Sequence, residues 1–379
     1  MYVISISLDT KMFEKNSKPL RRMVEYSSLF KQMHTICYTP AKNFQKISIG
    51  NLTVHPTNSY SKIFFIVDAF IIASRLIKKD LPTADRMAIT AQDPFETGLV
   101  GLLLKKRFSI RLNIQDHGNF FESKYWRKES ILNFFRYFLG IIVLKKSDSV
   151  RTVSLREKIF IEKNFGYPSK KTISYPIFTN WEAISNHTPS FDIKQRYPGF
   201  DFYILTVCRL EKVKNIPLLL ESFSEILREF PKTLLLIIGS GSQEKNIRDT
   251  VQKRHLQNNV ILENWTDDPA SYYKTSDLFV LSSFSEGWGL TVIEAASSKC
   301  PIIMTDTGCA NEFIINGRNG WIVPIQDKNA LVESMQDAIN NAGKRKLYAE
   351  QAFNDLSTLP TKGQTLLLFE KLMELTSQK

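Results

Sequence analysis

The feature that most constrains the fold is a regular alternation of short apolar runs with amphipathic segments in the C-terminal half of the chain. Apolar runs of strand length fall at residues 203–207, 233–238, 260–262, 278–281 and 301–304. Between the first two runs, Leu219, Phe223 and Ile226 follow the three- and four-residue spacing of a helix. Strands that alternate with helices predict a parallel sheet with helices on both faces.

The N-terminal half shows the same alternation less clearly. Its predicted strands are residues 2–7, 63–66, 87–91, 110–114 and 150–153. A chain of 379 residues exceeds what one hydrophobic core usually organises. We therefore predict an α/β protein with an N-terminal domain at residues 1–180, a second domain at 181–360 and a final helix within 361–379.

The first residues and the cysteine content indicate in which cellular compartment the protein resides. Residues 1–7 lack the basic start and long apolar run of a signal peptide and instead predict a first strand. Four cysteines, with neither metal-ligand spacing nor a disulfide framework, fit a reducing environment. These observations predict a cytoplasmic protein.

Positive charge is concentrated in the N-terminal half. Residues 1–180 carry 29 Lys and Arg against 14 Asp and Glu, whereas residues 181–379 carry 21 against 24. Such an imbalance indicates an anionic partner, either nucleic acid or a membrane surface. No zinc, helix-turn-helix or aromatic RNA-binding motif is present, so nucleic acid is not the expected partner.

The segment 124–146 combines aromatic and aliphatic residues with flanking lysines and arginines. Its apolar run, 137–144, is too short to span a bilayer. Two interpretations stay open: a helix at the interface of an anionic membrane, or a core helix beneath a solvated basic face. The first predicts peripheral attachment to the inner face of the cytoplasmic membrane.

A glycine-rich turn lies between the fourth apolar run and the next predicted helix, within residues 282–296. Gly287 and Gly289 remove side chains where a ligand approaches the backbone, and the helix N-terminus favours an anion. Glu286 in the turn and Glu294 in the helix are placed to reach hydroxyl groups of one ligand whose phosphates lie between them. The combination predicts a sugar-nucleotide site.

Further motifs follow the other apolar runs in a fixed order. They are Arg209-Leu210 with Lys214, then Gly239-Ser240-Gly241, then the run 276–281, then Thr307-Gly308 with Glu312, and then Gly320. With Glu286 and Glu294, which seven residues separate, these motifs make residues 203–324 resemble glycosyltransferase family 4, the group 1 glycosyltransferases. Cys208, Lys299 and Cys309 stand where that family usually has glycine.

The resemblance implies the GT-B fold, in which two Rossmann-like domains face each other across a cleft and the last helix packs back on the first domain. It implies a retaining transfer from a nucleoside-diphosphate sugar to a glycan or lipid-linked acceptor, in the synthesis of a cell-envelope polysaccharide or glycolipid. No Asp-x-Asp pair occurs, so neither a metal nor another cofactor is expected.

The resemblance also implies roles for individual residues. Arg209 and Lys214 would stabilise the departing diphosphate, Glu286 would contact a hydroxyl of the donor sugar, and His117 would lie near the reacting centre. Glu294 would accept hydrogen bonds from the ribose. The remaining predicted donor contacts are Gly287, Trp288, Gly289, Leu290, Gly239, Gly241 and Trp265. For Trp265, stacking on the base and burial in the core are both open.

Acceptor-side residues are predicted from two loops that follow strands of the N-terminal half. Asp93 and Glu96 lie in the first of these loops, and Asp116 precedes His117 in the second. The same three carboxylates support an alternative function, a sugar-nucleotide epimerase with the same two-domain architecture. A nucleic-acid-binding protein that uses the basic half is the other alternative.

Overall fold

The structure is a computed structural model that describes residues 1–79 and 86–377. The chain divides into two compact units. The first comprises Met1–Pro176 together with Pro360–Lys379, and the second comprises Ile177–Leu359. The last residues of the chain therefore belong to the same unit as the first.

Each unit is built on a single sheet. The strands are β1 Tyr2–Ser7, β2 Gln32–Cys37, β3 Ile47–Ile49, β4 Leu52–Pro56, β5 Met87–Ala91, β6 Arg111–Asp116, β7 Ser149–Thr152, β8 Thr172–Ser174, β9 Phe202–Val207, β10 Thr233–Ile238, β11 Val260–Glu263, β12 Leu278–Leu281, β13 Ile302–Thr305 and β14 Trp321–Val323. The first sheet has the order β3-β4-β2-β1-β5-β6-β7-β8 and is parallel except at β3, while the second has the order β11-β10-β9-β12-β13-β14 and is parallel throughout.

Helices connect the parallel strands. They are α1 Lys18–Ser27, α2 Phe65–Lys79, α3 Glu96–Phe108, α4 Lys124–Glu129, α5 Ile131–Lys146, α6 Leu155–Phe165, α7 Trp181–Ser185, α8 Ile193–Arg196, α9 Ile216–Glu229, α10 Glu244–Lys253, α11 Pro269–Thr275, α12 Leu290–Ser297, α13 Lys328–Asn340, α14 Ala342–Asp355 and α15 Lys362–Ser377. In the first unit, α2, α3 and α5 contribute to one core cluster, whereas α1 and α15 contribute to another. Phe369 of α15 stacks on Tyr26 of α1, with ring centroids 4.2 Å apart.

The predicted strand at 63–66 is wrong. A 3-10 turn, Lys62–Phe64, leads directly into α2. The apolar run is the start of an amphipathic helix whose buried side, Ala69, Ala73 and Leu76, continues at four- and three-residue spacing. Ile63 is left 84% exposed, which no buried strand would allow.

The predicted strands of the second half are confirmed. They could be recognised in the sequence because buried strands are rich in apolar residues. All six residues of β10 are buried, as are all six of β9. A strand in the middle of a parallel sheet is covered on both faces, so its sequence is a continuous apolar run without polar alternation.

Candidate functional site

The glycine-rich turn of the second unit joins β12 to α12. Gly289 precedes the first helical residue with φ +97°, a left-handed conformation that glycine adopts without strain. The loop after β13 packs directly on this turn, because Cys309 N donates to Trp288 O at 2.8 Å. A Cβ on Gly308 would lie 2.5 Å from Trp288 O. Two loops that follow neighbouring strands therefore touch, and this contact requires glycine at position 308.

The turn holds Glu286 against Lys214. Lys214 Nζ lies 2.5 Å from Glu286 Oε1, and Ser283 Oγ donates to the same oxygen at 2.6 Å. Glu286 N donates to Thr307 Oγ1 at 2.7 Å. The two charged side chains are only 14% and 11% exposed, so water screens their attraction poorly. The structure thus joins two residues for which the sequence predicts contacts with adjacent parts of the donor.

Lys214 is placed by the connection between β9 and α9. A 3-10 turn, Lys212–Lys214, ends at Asn215, which has φ +50°. Ser282 Oγ donates to Lys214 O at 3.0 Å and to Asn215 O at 3.2 Å. These bonds tie the loop after β9 to the loop after β12, and they fix the lysine beside the glycine-rich turn.

The second glycine turn lies against the residues that flank Arg209. Gly239 has φ +151°, and a Cβ there would lie 1.9 Å from Cys208 O. A Cβ on Gly241 would lie 2.5 Å from Leu210 O. The Arg209 side chain is exposed between these two contacts. Close backbone approach explains both glycines and leaves the guanidinium free to meet a ligand from solvent.

Glu294 is positioned by a residue that the sequence analysis missed. Tyr273 in α11 donates its hydroxyl to Glu294 Oε2 at 3.1 Å. Tyr273 is fully buried, and burial followed by the nearby Glu294 carboxylate raises its pKa well above the ordinary value. The tyrosine therefore stays a hydrogen-bond donor, and it orients the carboxylate that we predict to bind the ribose.

The loop after β11 leaves Trp265 53% exposed, which excludes the interpretation of this residue as core. Neighbouring Glu263 accepts hydrogen bonds from Tyr197 and from Tyr272, the latter at 2.5 Å, and lies 3.3 Å from Arg196. These contacts fix the start of the loop. Stacking of Trp265 on a base stays a prediction.

Other predicted donor contacts differ in exposure. Trp288 is only 4% exposed, and its indole nitrogen has no hydrogen-bond partner among the described residues. Leu290, the first residue of α12, is 38% exposed. Leu290 is therefore accessible to a ligand, whereas the Trp288 side chain is buried beneath the turn.

In the first unit, His117 follows β6. Its Nε2 lies 3.1 Å from Gln92 Oε1, at the end of the neighbouring strand β5. Burial lowers the pKa of His117 well below the ordinary value, and Arg151 and Arg22 lower it further. The imidazole is consequently neutral near pH 7, which leaves it able to donate one hydrogen bond and accept another.

The three predicted acceptor-side carboxylates all have partners within the protein. Asp93 accepts from Phe95 N at 2.7 Å and from Thr97 Oγ1 at 2.8 Å, and Glu96 lies 2.6 Å from Arg136. Asp116 accepts from the backbone of the loop that it precedes. These contacts shape the loops. Direct contact with an acceptor stays a prediction for each carboxylate.

Within residues 1–79 and 86–377, no group of three or more His, Cys, Asp or Glu side chains is arranged to hold a metal ion. The four cysteines are buried free thiols. The roles of Arg209 and of Lys214 at the diphosphate stay predictions.

Comparison with known proteins identifies glycosyltransferases that are similar to this chain. Residues 190–355 match the family described as glycosyl transferases group 1. The capsular polysaccharide biosynthesis glycosyltransferase CapM of Staphylococcus aureus is 31% identical over 173 residues, which is 45% of each chain. The poly(glycerol-phosphate) alpha-glucosyltransferase of Bacillus subtilis strain 168 is 29% identical over 157 residues, 41% of this chain and 23% of the relative. The chain thus spans less than half the length of these two relatives.

The fold extends over the whole chain. A solved structure of sucrose-phosphate synthase from Thermosynechococcus elongatus superposes with a TM-score of 0.81 at 19% identity, covering 99% of this chain and 98% of that one. The predicted GT-B fold of two Rossmann-like domains is confirmed. The predicted resemblance to the group 1 glycosyltransferases is confirmed over residues 190–355, which match the model of that family.

Proposed function

We propose that this chain is a retaining, metal-independent glycosyltransferase that moves a sugar from a nucleoside-diphosphate sugar to a glycan or lipid-linked acceptor of the cell envelope. The observation that carries the proposal is the partly buried contact of Lys214 with Glu286 beside the glycine-rich turn. A cation and a carboxylate placed together at a helix N-terminus match the adjacent diphosphate and sugar of such a donor.

The chemistry requires charge stabilisation at the leaving group. As the bond from the sugar C1 to the diphosphate oxygen breaks, negative charge grows on that oxygen, and Lys214, Arg209 and the α12 N-terminus supply the positive charge that stabilises it. The acceptor oxygen forms the new bond to C1, and its proton passes to the departing diphosphate. With retention, attack and departure share one face of the sugar. His117, which is neutral, contacts the donor sugar.

Transfer is tested with the purified chain, a panel of uridine, guanosine and adenosine diphosphate sugars, and a lipid extract as acceptor. The expected result is release of nucleoside diphosphate that depends on the acceptor, with a product of unchanged anomeric configuration by NMR. Conversion of the donor without any acceptor would identify the epimerase alternative. Binding to nucleic acid without binding to any donor would identify the other one.

We also propose that the enzyme attaches peripherally to the inner face of the cytoplasmic membrane. Helix α5 buries one side in the core, while its other side is apolar and exposed. The exposed residues are Ile131, Leu132, Phe134, Phe135, Phe138 and Ile142. Exposed lysines flank this surface at positions 124, 128, 145 and 146. Apolar side chains beside lysines suit an anionic lipid surface.

A second set of exposed apolar residues lies at Ile63 and Phe64 in the 3-10 turn before α2 and at Val67 and Ile71 in α2. Both α2 and α5 pack against α3. Within the described ranges 1–79 and 86–377, every helix is too short or too polar to cross a bilayer. Attachment through a helix surface needs no such crossing.

Sedimentation with liposomes tests the attachment. We expect binding to vesicles containing phosphatidylglycerol at low salt, weaker binding to phosphatidylcholine vesicles, and loss of binding in Phe135→Glu. Leu347→Glu is the matched control, because Leu347 is 62% exposed on α14 in the second unit. Equal sedimentation of the wild type and Phe135→Glu would exclude this surface.

A further inference from the structure

The loop that carries His117 is held by two buried carboxyl groups. This loop, residues 117–122, connects β6 to α4. Gly118 N donates to Asp116 Oδ1 at 3.0 Å, and the amides of Asn119 and Phe120 also donate to Asp116. Phe121 N donates to Glu157 Oε1 at 2.8 Å, and Glu122 N donates to Glu157 Oε2 at 3.1 Å. Consecutive backbone amides therefore converge on one pair of acidic side chains.

Glu157 does not have the role that its sequence position suggests. Ser154 and Glu157 have the three-residue spacing of a capping box at the start of α6. The Ser154 side chain makes no capping bond, however, and both Glu157 oxygens accept from the distant loop. Glu157 is 1% exposed. A buried carboxyl used in this way serves the loop rather than its own helix.

The two carboxyl groups are buried and close enough for the charge of Asp116 to raise the pKa of Glu157. Asp116 is also 1% exposed, and two adjacent buried carboxylates cannot both ionise without strong repulsion. Burial, followed by the charge of Asp116, raises the pKa of Glu157 well above its ordinary value. Glu157 is therefore the member of the pair that holds a proton more strongly.

Glu122, at the end of the loop, is held by two further side chains. Arg156, the residue before Glu157, lies 2.7 Å from Glu122 Oε1. Asn119 Nδ2 donates to Glu122 Oε2 at 2.7 Å. The start of α6 thus binds the end of the loop through buried Glu157 and through Arg156 nearer the surface. Gln92 contacts the imidazole of His117.

We infer that Glu157 is a positioning residue, whose carboxyl holds the loop 117–122 and thereby the imidazole of His117 in place for transfer. The inference deepens the proposed function and rests on it for its kinetic consequence. Its structural consequence is independent: removal of the carboxyl frees two amides of the loop. Glutamine keeps one acceptor oxygen for the loop amides, so it should preserve part of the contact.

Hydrogen exchange of the full chain tests the structural consequence. In Glu157→Ala, we expect amides of the segment 118–122 to exchange about tenfold to a hundredfold faster, since a buried hydrogen bond is lost at each of two positions. Glu157→Gln should fall between alanine and the wild type. Glu162→Gln, in the same helix, is the control and should match the wild type. Unchanged exchange of the loop in Glu157→Ala would overturn the inference, as would an equal increase in the control.

The kinetic consequence separates positioning from a general loss of stability. We expect Glu157→Ala to lower kcat about tenfold or more while the Kd of the donor stays within twofold, with partial rescue in Glu157→Gln. A normal kcat despite a faster-exchanging loop would overturn the positioning role. Absence of transfer by the wild type would instead reject the proposed function and leave the exchange result to decide the contact.

Discussion

Lys214 Nζ lies 2.5 Å from Glu286 Oε1, and the two residues are joined across 71 intervening positions of the chain by bonds between the loops that carry them. Ser283 donates to the same carboxylate oxygen. A bound diphosphate would compete with Glu286 for the lysine. Donor binding would therefore exchange one anionic partner for another and leave the carboxylate oxygen able to accept from a sugar hydroxyl.

Lys214→Ala should weaken the binding of nucleoside diphosphates by about tenfold to a hundredfold, because a charge-assisted hydrogen bond to the diphosphate is lost. Lys212→Ala is the matched control, since Lys212 lies in the same 3-10 turn and is exposed. Calorimetric titration with the uridine, guanosine and adenosine series measures both variants. Equal affinity of Lys214→Ala and the wild type for every diphosphate would contradict the assignment.

Glu294→Ala should weaken the nucleoside part of the interaction by tenfold or more, whereas Tyr273→Phe should weaken it only a few-fold. The tyrosine is fully buried and orients the carboxylate through one hydrogen bond of 3.1 Å, so its loss removes only this orientation. Titration with nucleoside monophosphates isolates this contribution from that of the diphosphate. A larger effect of Tyr273→Phe than of Glu294→Ala would reverse the assigned roles.

Strands β9 to β13 of the second sheet were predictable because most of their residues are apolar, so each strand stands out as a short apolar run in the sequence. Strands β2 and β4 of the first sheet were missed because their sequences contain His34, Thr35, Thr53 and His55. These polar residues are buried, and His34 Nδ1 lies 3.0 Å from His55 Nε2 on the adjacent strand. A hydrogen bond between side chains of two different strands cannot be read from the sequence of either strand alone. Strands β3, β8 and β14 have only three residues each, too few for a period to show.

The candidate site was predictable where glycines and charges cluster in the sequence. Gly239, Gly241 and Gly308 all lie against backbone, as their positions in the motifs suggest. Lys299, which stands where the family usually has glycine, has φ +53° and so retains the glycine-like backbone. Tyr273 and Glu157 were missed because they act through neighbours from other elements, and no local pattern marks either role.

Gly308→Ala should lower the free energy of unfolding of the second unit by roughly 1–3 kcal/mol, because the new Cβ meets Trp288 O at 2.5 Å and φ is +58°. It should also weaken donor binding, since the turn bearing Glu286 must move. Gly343→Ala, in α14 with nothing within 4 Å, is the control and should be neutral or slightly stabilising. Thermal unfolding compares the two variants, and equal midpoints would contradict the predicted close contact.

Asp93→Asn should remove a dependence of stability on pH. Burial, opposed by hydrogen bonds from Thr97 and Phe95, raises the pKa of Asp93 from 3.8 to about 6. A folded-state pKa above the unfolded value means that this carboxyl contributes stability fully below about pH 4 and loses it as the pH rises through 6. The stability of Asp93→Asn relative to the wild type should therefore increase between pH 4 and 7, by up to roughly 3 kcal/mol. Urea unfolding across this range measures the difference, and a constant difference would show that Asp93 ionises normally in the folded protein.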